Sequence, residues 1–209
     1  MFPQQIGVIL TRLEQAGFPA YAVGGCVRDT LLGRVPEDWD VTTAARPEQV
    51  SALFAGHCIP TGLRHGTVTV RQDGLSVEVT TFRADGPYSD HRRPDAVYFS
   101  DSLAEDLCRR DLTVNAMAMD RRGVLTDLHG GREDLRRGLL RCVGEPDRRF
   151  DEDALRIMRT LRFASVLGFT VEERTAAALH RCAPLLGSIA AERLLSEMDR
   201  LLCGRYVLP

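Results

Sequence analysis

Two aspartates flank a tryptophan in the segment Asp38-Trp39-Asp40-Val41-Thr42. In a strand, residues two apart share a face. Both carboxylates then project together while Trp39 and Val41 turn toward a core. Paired like charges call for a counter-charge, and hard oxygen ligands that leave room for water suit Mg²⁺. Two such ions can clamp an in-line phosphoryl displacement. Standing alone, the pair reads equally well as a solvated acidic loop. Its place shortly after Gly24-Gly25 makes the metal reading much more specific.

Gly24-Gly25-Cys26-Val27-Arg28-Asp29 joins a strand to a helix. Glycine lets a backbone approach a phosphate closely, and a helix start offers unpaired N–H groups to an anion. Arg28, in the first turn, can reach the same anion. Taken by itself, such a Gly-Gly step is more often only a turn. A second block, Arg109-Arg110-Asp111-Leu112-Thr113-Val114-Asn115-Ala116, sets two arginines before a strand, with Asp111 and Asn115 able to hold the turn. One arginine is a candidate triphosphate contact; the alternative is a solvated cluster at a helix end, where cations are favoured.

Glu152-Asp153-Ala154-Leu155-Arg156-Ile157-Met158-Arg159 supplies a third kind of chemistry. On a helix, Asp153 and Arg156 are neighbours at i,i+3. That spacing gives an ordinary salt bridge. It also sets an acceptor beside a donor, the pattern that reads a base edge. The carboxylate accepts from the exocyclic amine of cytosine or adenine, and the guanidinium donates to the adjacent ring nitrogen or carbonyl. Uracil and guanine present the opposite order. Arg156, Arg159 and Arg162 drift around the helix, so they need not serve one ligand.

These residues need elements to hold them. The pattern predicts a helix over 4–16, a strand over 21–23, a helix over 28–32, a strand over 39–42 and a helix over 47–54. Residues 67–71 and 75–82 alternate as a hairpin about Asp73-Gly74, and 116–119 with 124–127 form a second. Residues 83–101 show neither period and read as a long functional loop. Ser102 with Glu105 forms a capping-box pattern. From Asp151 the pattern is helical: one helix ends at Gly168, a second is capped by Thr170 with Glu173 and stopped by Pro184, and a last runs over 190–202.

The 209 residues suffice for a packed core, and 44% hydrophobic with 27% charged residues exclude a disordered chain or a disulfide scaffold. With net charge −2, any nucleic-acid site must be local. All 27 basic residues are arginine. A GC-rich genome explains that composition sufficiently. Six cysteines lack any zinc spacing, and neither a signal peptide nor a membrane span is legible, so reduced thiols and a cytoplasmic location are expected.

In order, these blocks resemble the class II tRNA nucleotidyltransferases, the CCA-adding enzymes and bacterial poly(A) polymerases of the polymerase β-like superfamily. Gly130-Gly131 with Asp134-Leu135 is similar to a third family motif, and Glu192-Arg193 with Glu197 to a helical motif after the base reader. The resemblance implies an α+β nucleotidyltransferase head over 1–138, a small mixed sheet flanked by helices. A helical, nucleotide-selecting neck over 139–209 would follow, with body and tail domains absent from this chain. It implies that Asp38 and Asp40 bind catalytic Mg²⁺ and that Gly25 and Arg28 cradle the triphosphate. Arg110 would lie on the nucleotide, Asp153 and Arg156 would read the base, and Arg159 and Arg162 would stand at or near the pocket. CTP and ATP would be the substrates and the tRNA 3′ end the acceptor, with no membrane. Glu78 is a possible third carboxylate near the metals, although Val77 and Val79 taking the other face favour a plain outward residue. Arg83-Ala84-Asp85-Gly86-Pro87-Tyr88 and Arg92-Arg93-Pro94 resemble the family's flexible loop and favour full CCA addition. Leu112 departs from the phenylalanine of many relatives. The alternatives are a poly(A) polymerase of the same family, a nucleotide-binding module without full activity, and a small-molecule nucleotidyltransferase.

Overall fold

The computed structural model describes residues 2–86, 88 and 96–207. The chain is a mixed α+β protein in two compact units. The first comprises residues 1–84, 97–109 and 115–128; the second comprises 85–96, 110–114 and 129–209.

In the first unit, α1 (Gln4–Gln15) precedes β1 (Ala20–Val23), α2 (Gly25–Leu31), β2 (Trp39–Thr43) and α3 (Pro47–Leu53). Then come β3 (Cys58–Gly62), β4 (Thr67–Gln72) and β5 (Leu75–Thr81). Short strands β6 (Arg83–Asp85) and β7 (Val97–Phe99) pair with each other, and α4 (Leu103–Cys108), β8 (Met117–Met119) and β9 (Leu125–Asp127) follow. Among the described residues the main sheet has the order β3-β4-β5-β2-β1-β8-β9. The β2–β5 pair is parallel, and its other neighbouring pairs are antiparallel.

Register sorts this sheet into an apolar and a polar face. Trp39 lies opposite Val77 and Val41 opposite Val79, while Val70 and Val68 partner the same two valines from β4. All six are buried, as are Ile6, Ile9, Leu10 and Leu13 of α1 and Val50 of α3. The alternate positions are Asp40 opposite Glu78 and Thr42 opposite Thr80, with Thr69 and Thr67 across from Glu78 and Thr80. Period-2 alternation thus delivers Asp40 to the polar face.

The second unit holds α5 (Gly131–Arg137), β10 (Leu139–Leu140), α6 (Pro146–Glu152), α7 (Leu155–Leu167), β11 (Thr170–Val171), α8 (Glu173–Cys182) and α9 (Ala191–Leu202). Its core includes Leu112, Leu140, Phe150, Ala154, Ile157, Phe163 and Ala178.

Several elements differ from the sequence pattern. β3 was not expected: it carries Pro60 and sits at the sheet edge, where a residue without an N–H is tolerated. The loop expected over 83–101 contains β6 and β7. Arg92, Arg93 and Pro94, part of the expected loop motif, lie outside the described residues. α2 starts at Gly25 rather than Arg28. The cap of α8 is Glu172, whose carboxylate accepts the Thr175 N–H at 2.8 Å; Thr170 instead pairs with Leu139.

Candidate active site

Each unit carries its own cluster. In the first, Gly24 has φ +81° and donates its N–H to the Met117 carbonyl at 3.3 Å. This left-handed corner suits glycine and turns the chain from β1 into α2. A Cβ on Gly25 would stand 3.6 Å from Arg28 Nη2, so these two predicted residues are adjacent. The Arg28 guanidinium is buried and its fork grips Asp29, with Nε and Nη2 each 2.9 Å from a carboxylate oxygen. Nη1 donates to Asn115 Oδ1 at 2.7 Å. Arg28 is therefore a held, oriented cation rather than a mobile one. The sequence linked Asn115 only to its own turn; a partnership across 87 positions leaves no local signal.

Asp40 is half-buried in β2, and Asp38 is the exposed residue just before the strand begins. The strand expected over 39–42 thus leaves Asp38 outside it. Glu78, exposed on β5, is the register partner of Asp40. Two strands away from any local pattern, this pairing shows what outward-facing Glu78 faces outward beside. Among the described residues no three His, Cys, Asp or Glu side chains are grouped to hold an ion by themselves. Carboxylate oxygens on a polar sheet face nonetheless fit Mg²⁺, which keeps waters and takes phosphate oxygens rather than requiring a protein cage. On this same face, Asp106 is fully buried and accepts from the Thr42 hydroxyl at 3.2 Å and from Arg109 at 2.8 and 3.0 Å. That carboxylate ties α4 to β2. Cys26 Sγ points at the Asp40 carbonyl, and burial, with the Asp40 charge, pushes this thiol up to about 11. It supplies no thiolate nucleophile at neutral pH.

The second unit contains Arg110, Asp153, Arg156, Arg159 and Arg162, the last three on α7. The expected continuous helix is broken. Asp153 follows α6 with φ −141°, and its carboxylate accepts the Leu155 N–H at 3.2 Å to start α7. Asp153 and Arg156 remain one turn apart, joined by Arg156 N–H to Asp153 C=O at 3.0 Å. A short polar side chain that competes for backbone N–H groups explains the break.

The α7 arginines take three different acids. Arg156 Nη1 donates to Glu152 Oε2 at 3.0 Å. Arg159 forks onto Asp111 Oδ2 at 2.9 and 2.6 Å. Arg162 Nε donates to Glu197 at 2.6 Å and its guanidinium lies 4.1 Å from the Phe163 ring centre. Burial would raise the Asp111 carboxyl, but the Arg159 charge and hydrogen bonds, the Leu112 N–H and the Arg156 charge hold it well below the carboxylate range. Burial raises Asp153 instead, against the charges of Arg193, Arg156 and Arg159. Asp134, from the third motif, accepts from the Thr113 hydroxyl at 2.6 Å and Arg141 Nε at 2.9 Å, bracing the 111–114 segment. Glu197 and Arg193 entered the sequence reading only through the α9 motif resemblance; their partners on or before α7 were not legible.

Comparisons with known proteins bear on both units. The sequence pattern of the poly A polymerase head domain matches residues 20–141. That of the probable RNA and SrmB-binding site of polymerase A matches 168–208. A CCA-adding enzyme of Geobacillus kaustophilus is 51% identical over 206 residues, 99% of this chain and 50% of the relative. One from Leuconostoc mesenteroides is 52% identical over 94% of this chain and 49% of its own length. The crystal structure of the Bacillus stearothermophilus CCA-adding enzyme in complex with CTP superposes with TM-score 0.91 at 48% identity, covering 99% of this chain and 50% of that one. The Thermotoga maritima enzyme complexed with tRNA_CCA gives 0.80 at 25% identity, covering 99% and 49%. The chain spans about half the length of the curated relatives it matches.

Proposed function

The chain belongs to the poly A polymerase head-domain family, and from that premise we propose that it catalyses template-independent addition of CCA to the 3′ end of tRNA, using CTP and ATP. The observation that carries this reading is 51% identity to a CCA-adding enzyme over 99% of this chain. We assign residues 1–138 to a catalytic head and 139–209 to a nucleotide-selecting neck.

In this reaction the terminal 3′-hydroxyl of the RNA gives its proton to solvent water and its oxygen attacks the α-phosphorus. The bond to the β-phosphate oxygen breaks and pyrophosphate leaves. Asp38 and Asp40 would hold Mg²⁺, which neutralises charge building on the phosphate oxygens. Arg28, pre-ordered by Asp29 and Asn115, offers a fixed positive charge to the triphosphate, and the Gly24-Gly25 corner lets its backbone approach. Arg110 is a further nucleotide contact. In the second unit, the Asp153 carboxylate accepts from the cytosine or adenine amine and Arg156 donates beside it. Arg159 and Arg162 order α7 around that pair. The proposed setting is the cytoplasm, where thiols stay reduced; no helix among the described residues is long and apolar enough to cross a membrane.

The test is incorporation of labelled CTP and ATP into tRNA lacking its CCA end, with Mg²⁺, at low and high RNA concentration. Two C followed by one A, with U and G refused, is the expected product. A long A-tail would reassign the chain to poly(A) synthesis. Nucleotide binding with no incorporation at any RNA concentration would reduce it to a nucleotide-binding module.

A further inference from the structure

The geometry points to Arg193 as a positioning residue for base selection: from 4.0 Å it sets a positive charge beside the Asp153 carboxylate while leaving that carboxylate's hydrogen-bonding capacity open to the base. This rests on the reading of Asp153 as the base acceptor.

The contrast with Asp111 carries the argument. Asp111 is forked by Arg159 at 2.9 and 2.6 Å and accepts the Leu112 N–H at 2.7 Å. Its acceptor sites are spent, as suits a structural anchor. Asp153 is also largely enclosed, its side chain 19% exposed against 9% for Asp111, yet Arg193 Nη2 stops 4.0 Å from Oδ1. That exceeds a hydrogen bond but lies within strong Coulombic range. Among the described residues, the one hydrogen bond accepted by the Asp153 side chain is from the Leu155 N–H, also on Oδ1. No donor is set on Oδ2. Arg193 has no better use for its charge: Asp153 is its one ion-pair partner among the described residues, and its Nη1 is buried without an acceptor. A guanidinium kept beside a carboxylate without closing on it supplies charge and does not compete for lone pairs.

The other groups around Asp153 cannot replace it. From α7, Arg156 is engaged by Glu152 and Arg159 by Asp111. Glu152, the preceding residue, adds negative charge but is itself matched by Arg148, Arg149 and Arg156. Glu197 of α9 is held by Arg162. The 183–189 turn brings Leu185, Leu186 and Ile189 against Ala154 and Leu155, which is apolar packing that disfavours an ionised neighbour. Among these charges, Arg193 makes the largest contribution to keeping Asp153 ionised against its burial.

The chemical consequence concerns base identity. An ionised Asp153 accepts from the cytosine amine; a protonated one donates, which suits the uracil carbonyl at the same position. Preference for CTP over UTP is therefore present above the Asp153 pKa and lost as pH falls through it. Removing the Arg193 charge moves that loss to higher pH.

The experiment is calorimetric binding of CTP and UTP, each with Mg²⁺, to the 209-residue chain from pH 4 to 8. The proteins are wild type, Arg193→Gln, Arg193→Lys and Asp153→Asn. Wild type and Arg193→Lys should keep a common midpoint for loss of the preference. Arg193→Gln should lose it at higher pH, with CTP about fivefold weaker near the wild-type midpoint, the ratio of ionised fractions that a tenfold change in proton affinity produces. A Gln profile that superposes on wild type overturns the role of Arg193. If the Gln variant does not fold, the Lys variant decides: the wild-type midpoint supports the role, and loss of preference at every pH overturns it. Failure of the underlying reading looks different. Wild type would then bind CTP and UTP alike, or Asp153→Asn would retain the preference.

Discussion

Replacing Asp111 by asparagine removes the charge from a buried carboxylate that anchors α7 in the second unit. The wild-type group accepts two bonds from Arg159 and one from a backbone N–H, and its side chain is 9% exposed. An opposite charge at contact distance is worth about 4 kcal/mol at an effective dielectric constant of about 20. Desolvation of the carboxylate offsets part of this. The Arg159 side chain is 36% exposed, so water screens the pair and stabilises the stranded guanidinium in the variant. The net cost of Asp111→Asn at pH 7 is then about 2 kcal/mol. With a urea dependence of about 2 kcal/mol per molar, the unfolding midpoint falls by about 1 M. The pH dependence has a definite sign. The folded pKa lies below the unfolded one, about 3.9, so the stabilisation is fully present above the unfolded value. It declines as pH drops below about 3.9 toward the lower folded value. Urea titrations of both proteins at pH 7 and pH 3, followed by circular dichroism, read this directly. Equal midpoints at pH 7 would refute the energetic reading, and a difference unchanged at pH 3 would refute the assignment to the Asp111 charge.

Other consequences are as concrete. Asp40→Asn should lower CTP incorporation into CCA-less tRNA by at least ~1,000-fold, about 4 kcal/mol of transition-state stabilisation, with the far-ultraviolet dichroism unchanged. Glu78→Gln, beside Asp40 in register, should raise the Mg²⁺ concentration for half-maximal incorporation by about tenfold, about 1.4 kcal/mol; an unchanged requirement returns Glu78 to a solvated strand position. Gly204→Ala places a Cβ 1.7 Å from Ser165 Oγ and 2.8 Å from the Ser165 backbone. Calorimetry should show a loss of about 2–3 kcal/mol, the cost of forced overpacking, and an unaltered melting temperature would contradict that close approach.

What the sequence disclosed and what it withheld divide along physical lines. The alternation of Trp39, Asp40 and Val41 is local, so the strand and the polar placement of Asp40 were legible. So were the hairpin about Asp73-Gly74 and the end of α7 at Gly168, where φ is +73°. Residues 38 positions apart set the parallel β2–β5 register, and no short window reports it, so the alignment of Glu78 with Asp40 was hidden. Arg28 with Asn115 and Arg162 with Glu197 are likewise non-local. The break at Asp153 had a local cause, but helical spacing continued through it at 154, 157 and 158, and periodicity alone outweighed the carboxylate's bond to Leu155 N–H.

The arginines of α7 show how a helix proposed to bind a nucleotide base is stably seated. Successive steps of three residues turn the guanidiniums around the axis, and each meets an acid from different sequence: Glu152 at the end of α6, Asp111 from the segment before the sheet returns, and Glu197 of α9. Three non-equivalent ion pairs add to the packing of Leu155, Ile157, Met158, Phe163 and Leu167 in fixing the rotation and height of α7. That seating is a precondition for selecting a base by two hydrogen bonds, because a small rotation of the helix would change the spacing between acceptor and donor. It also explains the unequal treatment of neighbouring carboxylates. Those that fix the helix are closed on by guanidiniums, and Asp153, at the helix start, is approached by one only to 4.0 Å. On the proposed reading of Asp153 as the base acceptor, the same charge inventory separates anchoring from recognition by distance alone.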